Sequence, residues 1–159
     1  VVRVIRIAEE RSGLSVALHL LAEAAPVNVG FLWRLLVEPR AIPAVHAMST
    51  GPEISAPIPA EMVGETERTG GLPLENGTVT PHPGELVPSF VPPHMWGGGG
   101  TPIFDLGLSD ARLFFPIGWH AGSVLGRVAS ADLHMLAEAS RGIRQNGACT
   151  LSFTRAATA

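Results

Sequence analysis

The side chains able to do chemistry in this chain are few, and most fall in or beside loops. His46, His82, His94 and His120 lie there, with Glu53 and Glu85 as candidate carboxylate partners. An imidazole beside a carboxylate is what a general base or a metal-bound water requires. The spacing does not supply a metal set. Neither H-x-x-x-H nor H-E-x-x-H occurs, so no metal ligand is assigned. The run "HPGE", residues 82–85, reads as a turn entering a strand. His19 takes the outward phase of a strand and His134 lies on a helix, so both read as surface or packing residues. Cys149, the single cysteine, opens a strand and reads as buried and inert. Ser123, in "HAGSVLG", lacks the G-x-S-x-G elbow of a hydrolase nucleophile and enters a strand rather than a helix.

The most motif-like stretch is "PPHMWGGGGTPIFDLG", residues 92–107. A phosphate-binding loop of the P-loop type needs a lysine after its glycines and then a helix. Thr101, Pro102 and a strand-like apolar run follow here instead. The glycines therefore read as a turn between strands that could move as a flap, carrying His94 and Trp96 at its start. Ligand-binding candidates are the aromatic residues Phe90, Trp96, Phe115 and Trp119, with His46, Glu53, His94 and His120 as polar contacts. Apolar walls with a few polar groups are the usual make-up of a small-molecule site. No cofactor motif is present, and none is assigned.

Periodicity locates the elements that must position these residues. "VRVIRI", residues 2–7, is rich in β-branched residues, and Leu14, Val16, Leu18 and Leu20 alternate with smaller or polar residues. The two runs predict a hairpin from 2 to 21, turning at "ERSG" with Gly13 at positive φ. Pro26 suits the first turn of a helix whose face is Val27, Phe31 and Leu35, widened by Leu32 and Leu36 and ended by Pro39. Two short strands flank "STGP". Residues 60–84, rich in Gly, Pro, Thr and Glu, read as a long loop or arm with at most a short strand. "GELVPSFV", "TPIFDLGL", "ARLFFPI" and "SVLGRVA" read as strands, with residues 118–122 as a loop. "ADLHMLAEASRGIR" reads as a helix capped by Asp132, with Leu133, Leu136, Ala137 and Ser140 on one face, and "CTLSFTR" as a closing strand. Many short strands and two helices, one early and one late, predict a mainly β, closed barrel plugged by helices.

The totals exclude several classes. The chain has 159 residues, 46% of them apolar and 16% charged, which suits one domain, residues 1–159, with a real core. The net charge is -3, and all 11 basic residues are scattered arginines, so no basic stripe offers itself to nucleic acid or to an anionic membrane. No apolar run is long enough to span a bilayer. The start "VVRVIRIAEE" becomes charged too early for a signal peptide, and a lone thiol needs no oxidising compartment. A cytoplasmic location is expected.

Two stretches carry a family resemblance. "SVALHLLAEAAPVNVGFLWRLL" resembles the start of a cyclophilin at Leu20, Ala22, Glu23, Pro26, Asn28, Phe31 and Leu35. "RLFFPIGWHAGSVLGRVASADLHMLAEA" resembles the cyclophilin strand, tryptophan loop, strand and second helix at Phe114, Phe115, Trp119, Gly122, Val124, Gly126, Arg127 and Val128. "STGPEI" and "HPGELV", at Gly51, Glu53, Gly84 and Glu85, are similar to a family of bacterial proteins of unknown function with a cyclophilin-like fold. The resemblance implies the barrel. It does not imply prolyl isomerase activity. Cyclophilins carry F-H-R-V-I-x-x-F-M-x-Q-G-G-D between these ends, whereas "IPAVHAMSTGPEISAPIP" has no arginine, glutamine or phenylalanine. A neutral His46 cannot replace a guanidinium. The expectation is a module binding a small molecule or short peptide, without isomerase activity, and a homo-oligomer. The alternatives are a catabolic enzyme using a His/Glu acid–base or metal site, and a homo-oligomeric assembly protein that uses residues 60–84.

Overall fold

Alternation builds the first hairpin of the computed structural model, which describes residues 2–92, 103–108, 111–115 and 118–156. Strands β1 (Val4–Glu9) and β2 (Leu14–Leu20) pair antiparallel, with Ile5 opposite Leu18 and Ile7 opposite Val16. All four side chains are buried on one face, as a period of two requires. Gly13 holds the turn at φ 70°.

Helix α1 (Pro26–Leu35) follows, then β3 (Arg40–His46) and β4 (Ile54–Pro57). Residues 60–84 contain a 3-10 turn (Ala60–Met62), a short helix α2 (Glu65–Gly70) and a two-residue strand β5 (Gly77–Thr78). Helix α2 departs from the expectation of two helices. It has no buried residue, so it leaves no apolar stripe in the sequence to read. Strands β6 (Glu85–Val91) and β7 (Ile103–Leu108) come next.

Among the described residues, the stretch expected as one strand over "ARLFFPI" contains only β8 (Phe114–Phe115), which pairs with β9 (Gly118–Trp119) outside the barrel. Residues 118–122, expected as a loop, hold β9 and the start of β10 (Gly122–Ser123). "SVLGRVA" divides between β10 and β11 (Gly126–Val128), because Val124 and Leu125 leave the ladder to fill separate apolar clusters. A 3-10 turn (Ser130–Asp132) leads into α3 (Leu133–Asn146), and β12 (Cys149–Arg155) closes the chain. Asp132 makes no side-chain cap, since the chain is already turning there.

Eight strands form a closed antiparallel barrel in the order β1-β12-β3-β4-β7-β6-β11-β2. Closure leaves no open edge among these strands. β2 and β12 flank β1 and both run antiparallel to it, so they run in the same direction. α1 follows the end of β2 and α3 precedes the start of β12, which sets the two helices at opposite ends. Val29, Phe31, Leu32 and Leu35 of α1, and Leu136, Ala139 and Ile143 of α3, join the same core as the inward strand residues. Val27 and Ala137, expected on those inner faces, are exposed. Asn28 takes the inner place expected for Val27, and Ala139 that expected for Ala137. Truncating a fully buried side chain such as Leu32 to alanine costs about 2–5 kcal/mol.

β6 is buried on both faces. Leu86 and Phe90 face the main core, while Val87 packs with Ala111, Leu113 and Val124 in a second cluster outside the barrel wall. Gly122 makes that second layer fit: a Cβ there would lie 2.4 Å from Val87 Cγ1 and 3.0 Å from the Pro88 carbonyl oxygen. Among the described residues no helix is long and apolar enough to cross a membrane.

Candidate functional site

At the end of the barrel where α1 begins lies a cleft of about 290 Å³. Its walls come from four places: Asn28 in the first turn of α1, Leu72–Leu74 after α2, Pro88 and Phe90 on β6, and residues 120–123 between β9 and β10. Leu72, Leu74, Pro88 and Phe90 make it mostly apolar, and Asn28, His120 and Ser123 supply polar groups.

The segment 72–76 is pinned to the helix and to β10. α1 has Ala25 at its N-cap, which offers no side-chain acceptor. Glu75 supplies one from 48 residues away: its carboxylate accepts from the Val27 amide at 3.2 Å and the Asn28 amide at 2.9 Å. The Asn28 Nδ2 group donates to Glu75 Oε2 at 2.8 Å and to the Pro73 carbonyl at 2.9 Å. Glu75 N–H donates to Ser123 Oγ at 3.0 Å, and Asn76 exchanges bonds with the Val124 backbone. Burial pushes the Glu75 carboxyl up, but the hydrogen bonds from Asn28 and Val27 outweigh it and hold the group below its ordinary value of 4.5. Gly71, at φ 70°, brings the segment onto the Phe90 ring; a Cβ there would lie 2.4 Å from Cε1.

The sequence candidates divide between places. Phe90 and His120 meet in the cleft. Trp119 adjoins His120 but points outward, 60% exposed, stacked edge-on against Phe114 at 5.3 Å. His46 ends β3, at the far end of that strand from α1, so it does not join the groove expected for it. Its Nδ1 lies 2.7 Å from the Ala47 carbonyl and must carry the proton, since a carbonyl only accepts. Glu53 is buried beside β4, accepts from the Thr50 hydroxyl, and lies over Gly107, where a Cβ would meet it at 2.2 Å. His94 and Trp96 fall outside the described residues, as does the side chain of Phe115.

The turn before β6 and the burial of Cys149 stand where the sequence placed them. His82 N–H donates to Glu85 at 2.9 Å in the turn before β6, and Glu85 pairs with Arg127 at 3.1 Å. Cys149 is buried at the edge of a shallower cleft with Glu9, Glu10 and Arg11. Burial pushes its thiol up, and the negative charge of Glu9 pushes it further, which makes it a poor nucleophile. No group of three metal-ligating side chains occurs among the described residues.

Sequence reasoning missed the role of Asn28 and Glu75 in the site. Asn28 had a signal: an amide on the inner side of an apolar helix must find partners. Glu75 had none, because its partners lie far away along the chain.

The fold has solved neighbours. McbB, determined in complex with tryptophan, matches 98% of this chain with a TM-score of 0.62 at 16% identity, and this chain spans 45% of McbB. The hypothetical protein AF2241 from Archaeoglobus fulgidus, determined in solution, matches 98% of this chain with a TM-score of 0.53 at 19% identity, over 96% of its own length. At such identities the likeness is one of fold. No curated protein matches the sequence. The family model of the protein of unknown function DUF3830 matches residues 7–155, nearly the whole barrel, and the chain belongs to that family.

Proposed function

We propose that this chain is a cyclophilin-like binding module without prolyl isomerase activity, which holds a small apolar molecule in the cleft between Asn28, Phe90 and His120. The observation that carries this reading is the make-up of the cleft: an apolar wall with a few polar groups fixed by an internal network. Its volume stands near the lower bound of about 300 Å³ for such sites, which suits a ligand the size of an amino acid. The pinning of residues 72–76 supports it too, because a wall ordered in advance lowers the entropic cost of binding. McbB was solved with tryptophan, so indoles are sensible first probes.

The test is a titration of isotope-labelled protein with indole compounds, followed by amide NMR. Shifts should concentrate at Leu72–Leu74, Phe90 and Ala121–Ser123. Shifts centred instead on His46 and Glu53 would move the site to the other end of the barrel. A proline test peptide should isomerise no faster with the protein than without it. Catalysis at the level of a true cyclophilin would sink the non-isomerase half of the reading.

A further inference from the structure

The cleft has a hydrogen-bonding sign. Asn28 is 2% exposed and lines the cleft. Its Nδ2 faces two acceptors, the Pro73 carbonyl and the Glu75 carboxylate, so both amide hydrogens are committed. A flipped amide would set oxygen against those two oxygens, so the orientation is decided by its partners. What remains is Asn28 Oδ1, which accepts no hydrogen bond from the described residues. The Asn28 backbone N–H is also committed to Glu75. Ser123 Oγ accepts from the Glu75 amide, and the nearest acceptor for its proton is the Pro73 carbonyl at 3.5 Å. None of the described lining residues is an arginine or lysine. The ionised Glu75 lies directly behind the Asn28 amide. His120 also lines the cleft.

We propose that the ligand of this cleft is a small molecule with an apolar, ring-sized body and an amine or other N–H donor, which bonds to Asn28 Oδ1, and that carboxylates and phosphates are refused. The inference rests on the cleft being the binding site. A ligand that displaces water from this acceptor must supply a donor in its place, so a donor-bearing ligand gains where an isostere lacking the donor does not. An anion would meet an acceptor wall with a fixed negative charge behind it and no cation to offset it.

The test is calorimetric titration with tryptamine and with indole-3-propionate, which share the indole body and end in an ammonium or a carboxylate. Tryptamine should bind at least about tenfold more tightly. Phe90→Ala and, at the rim, His120→Ala should each weaken it. Equal affinities, or a preference for the propionate, with the same sensitivity to Phe90 and His120, would overturn the donor preference and leave the cleft as a binding site. Tryptamine binding unmoved by both substitutions would place the site elsewhere and overturn the inference. Binding of neither compound to the wild-type protein would overturn the inference together with the reading it rests on.

Discussion

At the end of the barrel where α1 begins, the Glu75 carboxylate accepts three hydrogen bonds from Val27 and Asn28 and stands behind an open cleft. At the other end of β3, Glu53 is buried under the Thr50 hydroxyl, in the space that Gly107 leaves over its strand. Both places combine a glutamate with a loop, and the sequence pointed to the second. The difference lies in what the carboxylate holds. The Glu53 carboxylate accepts from Thr50, three residues away, and fills the space over Gly107, while backbone bonds from Glu53 N–H to the Gly51 carbonyl and from Ala47 N–H to the Glu53 carbonyl close the loop. Glu75 ties together segments that are far apart in the chain, the first turn of α1 and the strand β10, and the gap between them is the cleft. A carboxylate that bridges distant segments through their amides can wall a pocket.

That contrast can be broken by substitution. Asn28→Ala should have the largest effect. It removes both side-chain bonds that pin residues 73–75, leaving Glu75 only the Val27 and Asn28 backbone amides and the Pro73 carbonyl without its amide donor, at a cost of about 2–3 kcal/mol in chemical denaturation. A loss below about 0.5 kcal/mol would mean that the segment is held without it. Glu53→Gln keeps the shape of its side chain and weakens the Thr50 bond. It should cost about 1–2 kcal/mol while leaving tryptamine affinity unchanged. Weakened binding in that variant would show that the two ends are coupled.

Glu75→Gln should cost least, about 1 kcal/mol, because an amide oxygen can still accept at the helix start. Its clearer mark is in acid. Glu75 and Glu9 both have folded pKa values below the ordinary 4.5. For Glu9 too burial acts upward, and the bonds from Ser12 and Arg11 outweigh it. A lowered folded pKa means that the unfolded chain takes up protons first. The stabilisation is therefore complete above 4.5 and is lost as pH falls through the lower folded values. The urea midpoint should drop on acidification, and the drop should be shallower in Glu75→Gln. An identical acid slope in the two proteins would remove Glu75 from the account.

Most of the barrel was legible because its signals are local. The alternation at Leu14–Leu20, the Pro26 helix start and the "CTLSFTR" strand depend on residues a few positions apart, and each lies where periodicity places it. The site was legible only in part. Phe90 and His120 were named and do meet. His46 and Glu53 were named for their chemistry and stand elsewhere, because residue type carries no information on convergence. Helix α2 carries no apolar period because it buries nothing.

By itself, then, the sequence determined that the chain makes a mainly β barrel with an early and a late helix, since hydrophobic period is written residue by residue. Only the tertiary structure decided that Glu75 caps α1, that the Asn28 amide is pinned to Pro73 and Glu75 at the cleft wall, and that His46 lies apart from His120. Those facts are contacts between segments far apart in sequence, and closure of the barrel is what brings such segments together.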